Sequence, residues 1–392
     1  MKVLIAGGGI AGPACALFLR KAGIAVTVFE AHRDRDHVGG GLSLAPNGMN
    51  VLDALGLADA VQARGTLARE NWFRTERGRV LAHYDNGSHG YGHPAVNLRR
   101  ADLRELLVSA LRDMGGDVVT GKRVTHVAAT ATKVTMTCSD GHTATGDLLV
   151  GADGLHSGVR AATWPHGPAP HYVGIAAVGG FTRLTMLPML PERSRTALNF
   201  TFGRKGMFGY GGARPDEVMW WCNTWRDEPL SGRDIADLKA GRIAPELRRT
   251  FREYHQPIPA LLAASENPVI LNVYDMPAMP AWYDGRVVLI GDAAHAVSPN
   301  SGQGAALALE DAQSLATLLV AADGDYSRAF PEFERRRRRR AERVMREGRR
   351  RAHDKKRRSA LGSAVRNVML AVMLRLFGER SHDWLYRYRV ES

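Results

Sequence analysis

The chain has 392 residues, of which 45% are hydrophobic and 24% charged, enough for two domains or one large core and ordinary for a soluble globular protein. Cys15, Cys138 and Cys222 are far apart and odd in number, which excludes a disulfide framework and a C-x-x-C metal or redox motif and fits a reducing cytoplasm. The net charge of +13 is local, because residues 332–358 hold fifteen Arg or Lys against five acids; this reads as a solvated helix face, with binding to nucleic acid or lipid as the other reading.

Val3, Leu4 and Ile5 form an apolar strand ending in Ala6, and Gly7-Gly8-Gly9-Ile10-Ala11-Gly12 supplies G-x-G-x-x-G spacing before a helix from about Ala11 to Ala22. In such a turn Gly7 permits the bend and Gly9 lets a pyrophosphate approach. Gly12 allows close packing, and the helix N-terminus offers N–H groups to the phosphates. A second strand, Ile24 to Phe29, ends in Glu30, eighteen residues after Gly12, where a carboxylate would bond a ribose hydroxyl and repel a 2′-phosphate. FAD and NAD both fit this turn, NADP less well, and an empty Rossmann-like turn is the bland alternative. The turn and its acid also account better than a secretory signal for the apolar start, and no apolar run of membrane-spanning length follows.

A charged loop, Ala31 to His37, precedes Val38-Gly39-Gly40-Gly41-Leu42-Ser43-Leu44-Ala45-Pro46-Asn47, which reads either as a loop pressed against a flat group or as a plain turn. A short helix starts near Asn47, with Met49, Leu52, Leu55 and Leu57 on its apolar side. Gly65 to Gly92, with Trp72, Phe73, Tyr84 and Tyr91, reads as strands leaving the nucleotide unit, and Arg100 opens a helix with Leu103, Leu106, Leu107 and Leu111 on one face. From Asp117 the pattern is β with a turn at Asp140-Gly141, and a buried strand then ends in Gly151-Ala152-Asp153-Gly154, where a ligand is expected.

Residues 165–277 become glycine-, proline- and aromatic-rich, which suits an antiparallel sheet carrying a substrate pocket or, residue by residue, a plain core. Parallel character returns with Arg286 to Ile290, followed by Gly291-Asp292-Ala293-Ala294-His295, by Pro299-Asn300-Ser301-Gly302-Gln303-Gly304 and by a helix to about Ala321, a second ligand-facing unit. The expected division is a discontinuous nucleotide-binding domain (1–75, 96–165 and 278–327), an inserted substrate domain (76–95 and 166–277) and a basic helical segment (328–392). Val365, Val368, Met369, Val372, Met373, Leu374, Leu376 and Phe377 form an amphipathic stretch expected to pack on the body, with a membrane surface or dimer face as the alternative.

Three separated motifs, Gly7 to Gly12 with Glu30, Gly151 to Gly154, and Gly291-Asp292 with Pro299 to Gly304, together resemble the class A FAD-dependent monooxygenases of the para-hydroxybenzoate hydroxylase fold. The resemblance spans about residues 1–390 and is to the short, single-component aromatic hydroxylases. It implies an α/β fold with a Rossmann-like FAD-binding domain, an inserted mixed or antiparallel substrate sheet and C-terminal helices. It implies that Gly7, Gly9, Ile10, Ala11, Gly12 and Glu30 bind the ADP half of FAD, with Arg100 near its phosphate or ribose. Asp153-Gly154 would serve the pyrophosphate and NAD(P)H, and Gly291-Asp292 the ribityl chain. Pro299, Gly302, Gln303 and Gly304 would form the loop over the flavin ring, with Gly39 to Asn47 on the ring's other side. Ala305-Ala306 departs from the Asn or Met that relatives often carry there.

The implied activity uses NADPH or NADH and O₂ to hydroxylate an aromatic, phenolic or polycyclic small molecule through a C4a-hydroperoxyflavin; hydroxylation, epoxidation and Baeyer-Villiger insertion stay open. Asn47, Phe202, Tyr210, Trp221 and Pro299 are the pocket candidates. His295 is expected to hold a structural hydrogen bond, since the cofactor carries the chemistry. No metal ligand set and no integral membrane segment are expected, and the protein is expected to be a cytoplasmic monomer or homodimer. The alternatives are a flavin-dependent reductase or dehydrogenase, a halogenase, which should carry Trp-x-Trp-x-Ile-Pro where Trp220-Trp221-Cys222 stands, and a basic nucleic-acid- or lipid-binding protein.

Overall fold

The computed structural model describes residues 1–33, 39–86, 90–239, 244–353, 360–378 and 382–391. Residues 34–38, which include most of the expected charged loop, and Lys355, Lys356, Arg357 and Arg358 lie outside the described residues. Val3, Leu4 and Ile5, like Leu149 and Val150, are fully buried, as continuous apolar strands covered on both faces must be. They belong to a six-stranded sheet in the order Tyr283–Asp284, Val287–Leu289, Leu148–Gly151, Lys2–Ala6, Ala25–Glu30, Asp117–Thr120. All neighbours in it are parallel except the edge pair Tyr283–Asp284 with Val287–Leu289. The ends Ala6, Glu30, Gly151 and Leu289 therefore share one edge, the edge at which open parallel sheets receive ligands.

The second sheet has seven strands in the order Glu266–Asp275, His171–Arg183, Glu217–Trp225, Met207–Arg214, Ala197–Phe202, Glu70–Thr75, Val80–Asp85. It is antiparallel apart from Ala197–Phe202 beside Glu70–Thr75, where Asn199 sits opposite Trp72 and Phe200 opposite Phe73. Glu70–Thr75 thus lies in the seven-stranded sheet and not in the unit expected to end at residue 75, because it pairs with the next strand, Val80–Asp85, and with the distant Ala197–Phe202. A second local expectation is corrected in the same way. Within 39–47, Gly41–Leu44 is a strand paired antiparallel with Val96–Arg99, whose amide groups satisfy it, and a helix, Pro46–Leu55, begins directly after. The hairpin around Asp140-Gly141 forms as expected, with Gly141 at φ +82°.

Helix Ala11–Lys21 packs on Gly304–Ala321, which also meets Pro46–Leu55 and the long Tyr326–His353 helix. Among the described residues Gly304–Ala321 is the one helix long and apolar enough to cross a membrane, and most of it is buried inside the fold. Tyr326–His353, called here the arginine helix, keeps a solvated face at Arg335, Arg339, Arg346 and Arg350. It departs from the expected wholly solvated reading on its other side, where Arg337 is fully buried and Arg340 nearly so, because two carboxylates of Gly304–Ala321 lie under them. The helix Ala360–Phe377, called here the terminal helix although the short Asp383–Tyr386 follows it, packs on Val80–Asp85 as expected but leaves Val365, Val368, Met369, Val372 and Met373 exposed.

Candidate active site

Steric necessity fixes the glycine turn. Gly7 has φ +112°, and a Cβ there would stand 2.2 Å from Ala152 O, so the turn is pressed against the Gly151-Ala152-Asp153-Gly154 loop. A Cβ on Gly12 would stand 1.9 Å from Gly7 O, which is the close helix-to-strand approach the spacing predicts. Gly9 is the opposite case: nothing lies within 4 Å of its Cβ position. The same holds at Gly40, Gly154 and Gly302, where no atom lies within 4 Å of the Cβ position. Gly291 closes the group, with its Cβ position 3.3 Å from both Ala11 Cβ and Ala308 Cβ.

Glu30 is buried at the end of its strand, and its carboxylate accepts the Gly8 N–H at 2.8 Å and the His32 N–H at 2.9 Å. Helix Ala11–Lys21, starting at Ile10 and Ala11, has no side-chain cap and no acid in its first turn, which leaves its first N–H groups for a ligand. Asp292 is half-buried, and its Oδ1 lies 4.0 Å from the Cβ position of Gly304. Among the described residues its carboxylate has no hydrogen-bond or ion-pair partner, the condition expected of a group that meets a ligand hydroxyl. Helix Gly304–Ala321 likewise starts without a side-chain cap, next to the exposed Pro299 and Gly302.

Asp153 is differently engaged. Its carboxylate accepts the Ser157 hydroxyl and the Gly158 and Val159 N–H groups at 2.8 and 3.1 Å, and burial pushes its pKa up while these bonds oppose the rise. It fastens its own loop. Arg100 packs along the Gly39 backbone, while Arg104, one turn later, donates from Nε to Gly8 O at 2.8 Å. Sequence reasoning missed Arg104, although its place four residues after Arg100 puts both on one helix face. It also missed the buried Arg160, which bridges Ala293 O and Leu155 O at 2.8 and 2.5 Å and so ties two motif loops together.

Beneath the Pro299–Gly304 loop lies a buried charge network. Glu310 accepts from Asn47 Nδ2 at 2.7 Å and from Arg340 Nε and Nη2 at 2.8 Å, with Arg337 Nη2 at 2.7 Å. Asp311 accepts from Arg337 Nε at 2.7 Å and from Gly291 N at 2.9 Å, and meets His295 Nε2 at 2.5 Å. Burial alone would raise both carboxyl groups, but His295 and the guanidinium groups outweigh it, holding Asp311 at about 2 and Glu310 below its ordinary value. Asn47 Nδ2 also donates to Gln303 Oε1 at 3.0 Å, so Asn47 and Gly291 are tied to the two acids and Gln303 is tied to them through Asn47. His295 is spent on Asp311 and on the Trp282 ring, 4.8 Å away.

The seven-stranded sheet has two different faces. Met219 and Trp221 point to the nucleotide-binding unit, since a Cβ on Gly41 would stand 2.3 Å from Met219 Sδ. On that side Trp221 meets Phe200 edge-on at 5.9 Å, and Phe73 stacks with Phe200 and Phe202 at 5.1 and 6.3 Å. Arg99 covers Phe181 there at 4.2 Å. Tyr210 is on the other face, buried with Phe208, Trp220 and Phe251 under the helices of 232–263. Strand alternation therefore separates Tyr210 from Trp221 and Phe202, with which it was grouped. Asn47 is buried as a tie between loops, with its Oδ1 unpartnered. Among the described residues there is no group of His, Cys, Asp or Glu able to hold a metal ion.

Comparison with known proteins agrees with this geometry. The family model described as FAD binding domain matches residues 1–348. The aurachin C monooxygenase/isomerase of Stigmatella aurantiaca is 32% identical over 81% of this chain and 80% of its own length. The 3-amino-4-hydroxybenzoate 2-monooxygenase of Streptomyces cremeus is 31% identical over 90% of this chain and 87% of its own. The crystal structure of Klebsiella pneumoniae HpxO with FAD and uric acid superposes with a TM-score of 0.83 at 25% identity, covering 97% of this chain and 96% of that one.

Proposed function

The chain belongs to the FAD binding domain family and is an FAD-dependent monooxygenase, and from that premise we propose that it hydroxylates an electron-rich aromatic, phenolic or polycyclic small molecule. FAD, when bound, supplies hydride acceptance from NADH or NADPH and the activation of O₂. The observation that carries the reading is the meeting of three motifs, the Gly7 turn pressed on Ala152 and Gly291 on Ala11, with the half-buried Asp292 carboxylate beside Gly304.

In this reading Gly7 to Gly12 and Glu30 hold the ADP half, Arg104 steadies the turn, and Asp292 takes a ribityl hydroxyl. The uncapped start of Gly304–Ala321 favours negative charge at the ring. Trp221, Phe200 and Phe202 wall the substrate side and keep water out. Relatives named for a hydroxybenzoate and a structure holding uric acid support a planar, electron-rich substrate. The domain division is the expected one with Glu70–Thr75 moved to the substrate sheet, and we place the enzyme in the cytoplasm as a monomer or homodimer.

Turnover with a panel of phenols and polycyclic aromatics under labelled O₂ tests the proposal. A true substrate accelerates NAD(P)H oxidation, lowers the yield of hydrogen peroxide and gains one labelled oxygen atom. Trp221→Ala should raise peroxide release with FAD content unchanged. Label arriving from water, or full turnover under nitrogen, would overturn the reading in favour of a reductase.

A further inference from the structure

The terminal helix, Ala360–Phe377, is held against the Val80–Asp85 strand: Tyr84 lies 2.7 Å from the Cβ position of Gly378 and stacks on His382 at 5.9 Å. Its outward side carries Val365, Val368, Met369, Val372 and Met373, the i, i+3, i+4, i+7, i+8 spacing of a single helical face. Each is between 50% and 64% exposed, and they are five of the eleven large apolar side chains exposed among the described residues. Single exposed apolar side chains are ordinary, but a continuous row marks an interaction surface.

Charge decides what covers it. Residues 349–358, which lead into the helix, hold seven Arg or Lys against one acid, and the helix itself adds Arg366 and Arg375 with no acid. Of these, Arg349 and Arg350 are paired with Asp275 and Glu347. Earlier in the arginine helix the acids are already engaged, Glu332 with Arg335 and Arg336, and Glu334 and Glu342 with Arg338. A second copy docked face to face about a twofold axis would bring two such basic runs together, at an electrostatic cost. A lipid surface bearing negative charge suits both the exposed apolar row and the basic composition of the sequence around it. We propose that the terminal helix is a docking face for an anionic membrane surface, lying in the plane of the interface.

The test is flotation of the full-length, FAD-loaded enzyme with phosphatidylcholine vesicles, with and without phosphatidylglycerol, at low and high salt. Anionic vesicles should carry the protein with about tenfold higher affinity than neutral ones, and high salt should release it. The double substitution Val368→Asp, Met369→Asp should cut binding to anionic vesicles about tenfold, with FAD content and NAD(P)H oxidation in solution unchanged. The proposal is overturned if the parent protein stays with neither vesicle, or if the double variant floats as well as the parent. It is equally overturned if light scattering finds a dimer that the double substitution dissociates and anionic vesicles do not, which would assign the row to a second copy. Retention on DNA without flotation would assign the charge to a nucleic acid instead.

Discussion

The arginine helix and the terminal helix follow one another in sequence and differ in opposite senses from their compositions. The first is among the most charged segments of the chain, yet Arg337 is fully buried, and Arg340 lies over Glu310 and the Tyr388 ring. The second is mostly apolar, yet it leaves a row of valines and methionines in solvent. Composition sets what a segment costs to bury; whether it is buried depends on what faces it. Arg337 goes inside because Glu310 and Asp311, adjacent on a neighbouring helix, cannot be buried without it, and the apolar row stays outside because no further element of the described fold reaches it.

The largest expected effect falls on that buried pairing. Arg337→Ala leaves two carboxylates enclosed with one fewer cation, and breaking a buried pair from one side costs about 3 to 5 kcal/mol. Denaturant unfolding of the FAD-loaded protein should show a loss of that size. Arg337→Lys should recover little of it, since one ammonium cannot meet Glu310 and Asp311 together as the guanidinium does. A loss no greater than that of the exposed Arg335→Ala would mean that the network is ornament and that the two helices do not differ in kind.

A smaller and pH-dependent effect comes from Asp311. Its carboxyl is held at about 2 in the fold and titrates near 3.9 in an unfolded chain. A depressed carboxyl contributes stability that is complete above the unfolded value and is lost as pH falls through the folded one. Asp311→Asn should therefore lower stability at neutral pH and flatten the acid limb between about pH 4 and pH 2. Parallel acid limbs for the variant and the parent would show that the carboxylate is not charged in the fold.

What could be read without a structure follows the same division between backbone and partner. Gly7 and Gly12 were legible because no other residue fits where a Cβ would stand 2.2 and 1.9 Å from a carbonyl oxygen, and Glu30 because it ends a strand in register with them. The three motifs and the division into a parallel and a largely antiparallel large sheet followed from local pattern. Arg104 and Arg160 were not legible, since each matters through the carbonyl it reaches and nothing local marks it. Strand Gly41–Leu44 depended on Val96–Arg99, some fifty residues away. Tyr210 and Trp221 both read as wall aromatics, and only the pairing of Gly209 with Trp221 and of Tyr210 with Trp220 tells which face each occupies.

The smallest expected effect is the sharpest test of the comparison. Val368 and Met369 are more than half exposed, so replacing both with Ser removes little area that folding had taken from water. Surface substitutions of this kind change stability by no more than about 0.5 kcal/mol, and the helix propensity given up is of the same small order. Thermal unfolding of the double variant should therefore match the parent, while Arg337→Ala, in the preceding helix, does not. If the Ser variant unfolds several degrees earlier, the row is covered within the folded protein, and the terminal helix is a packed element like its neighbour. An unchanged midpoint keeps the row as surface, available to whatever meets the protein from outside.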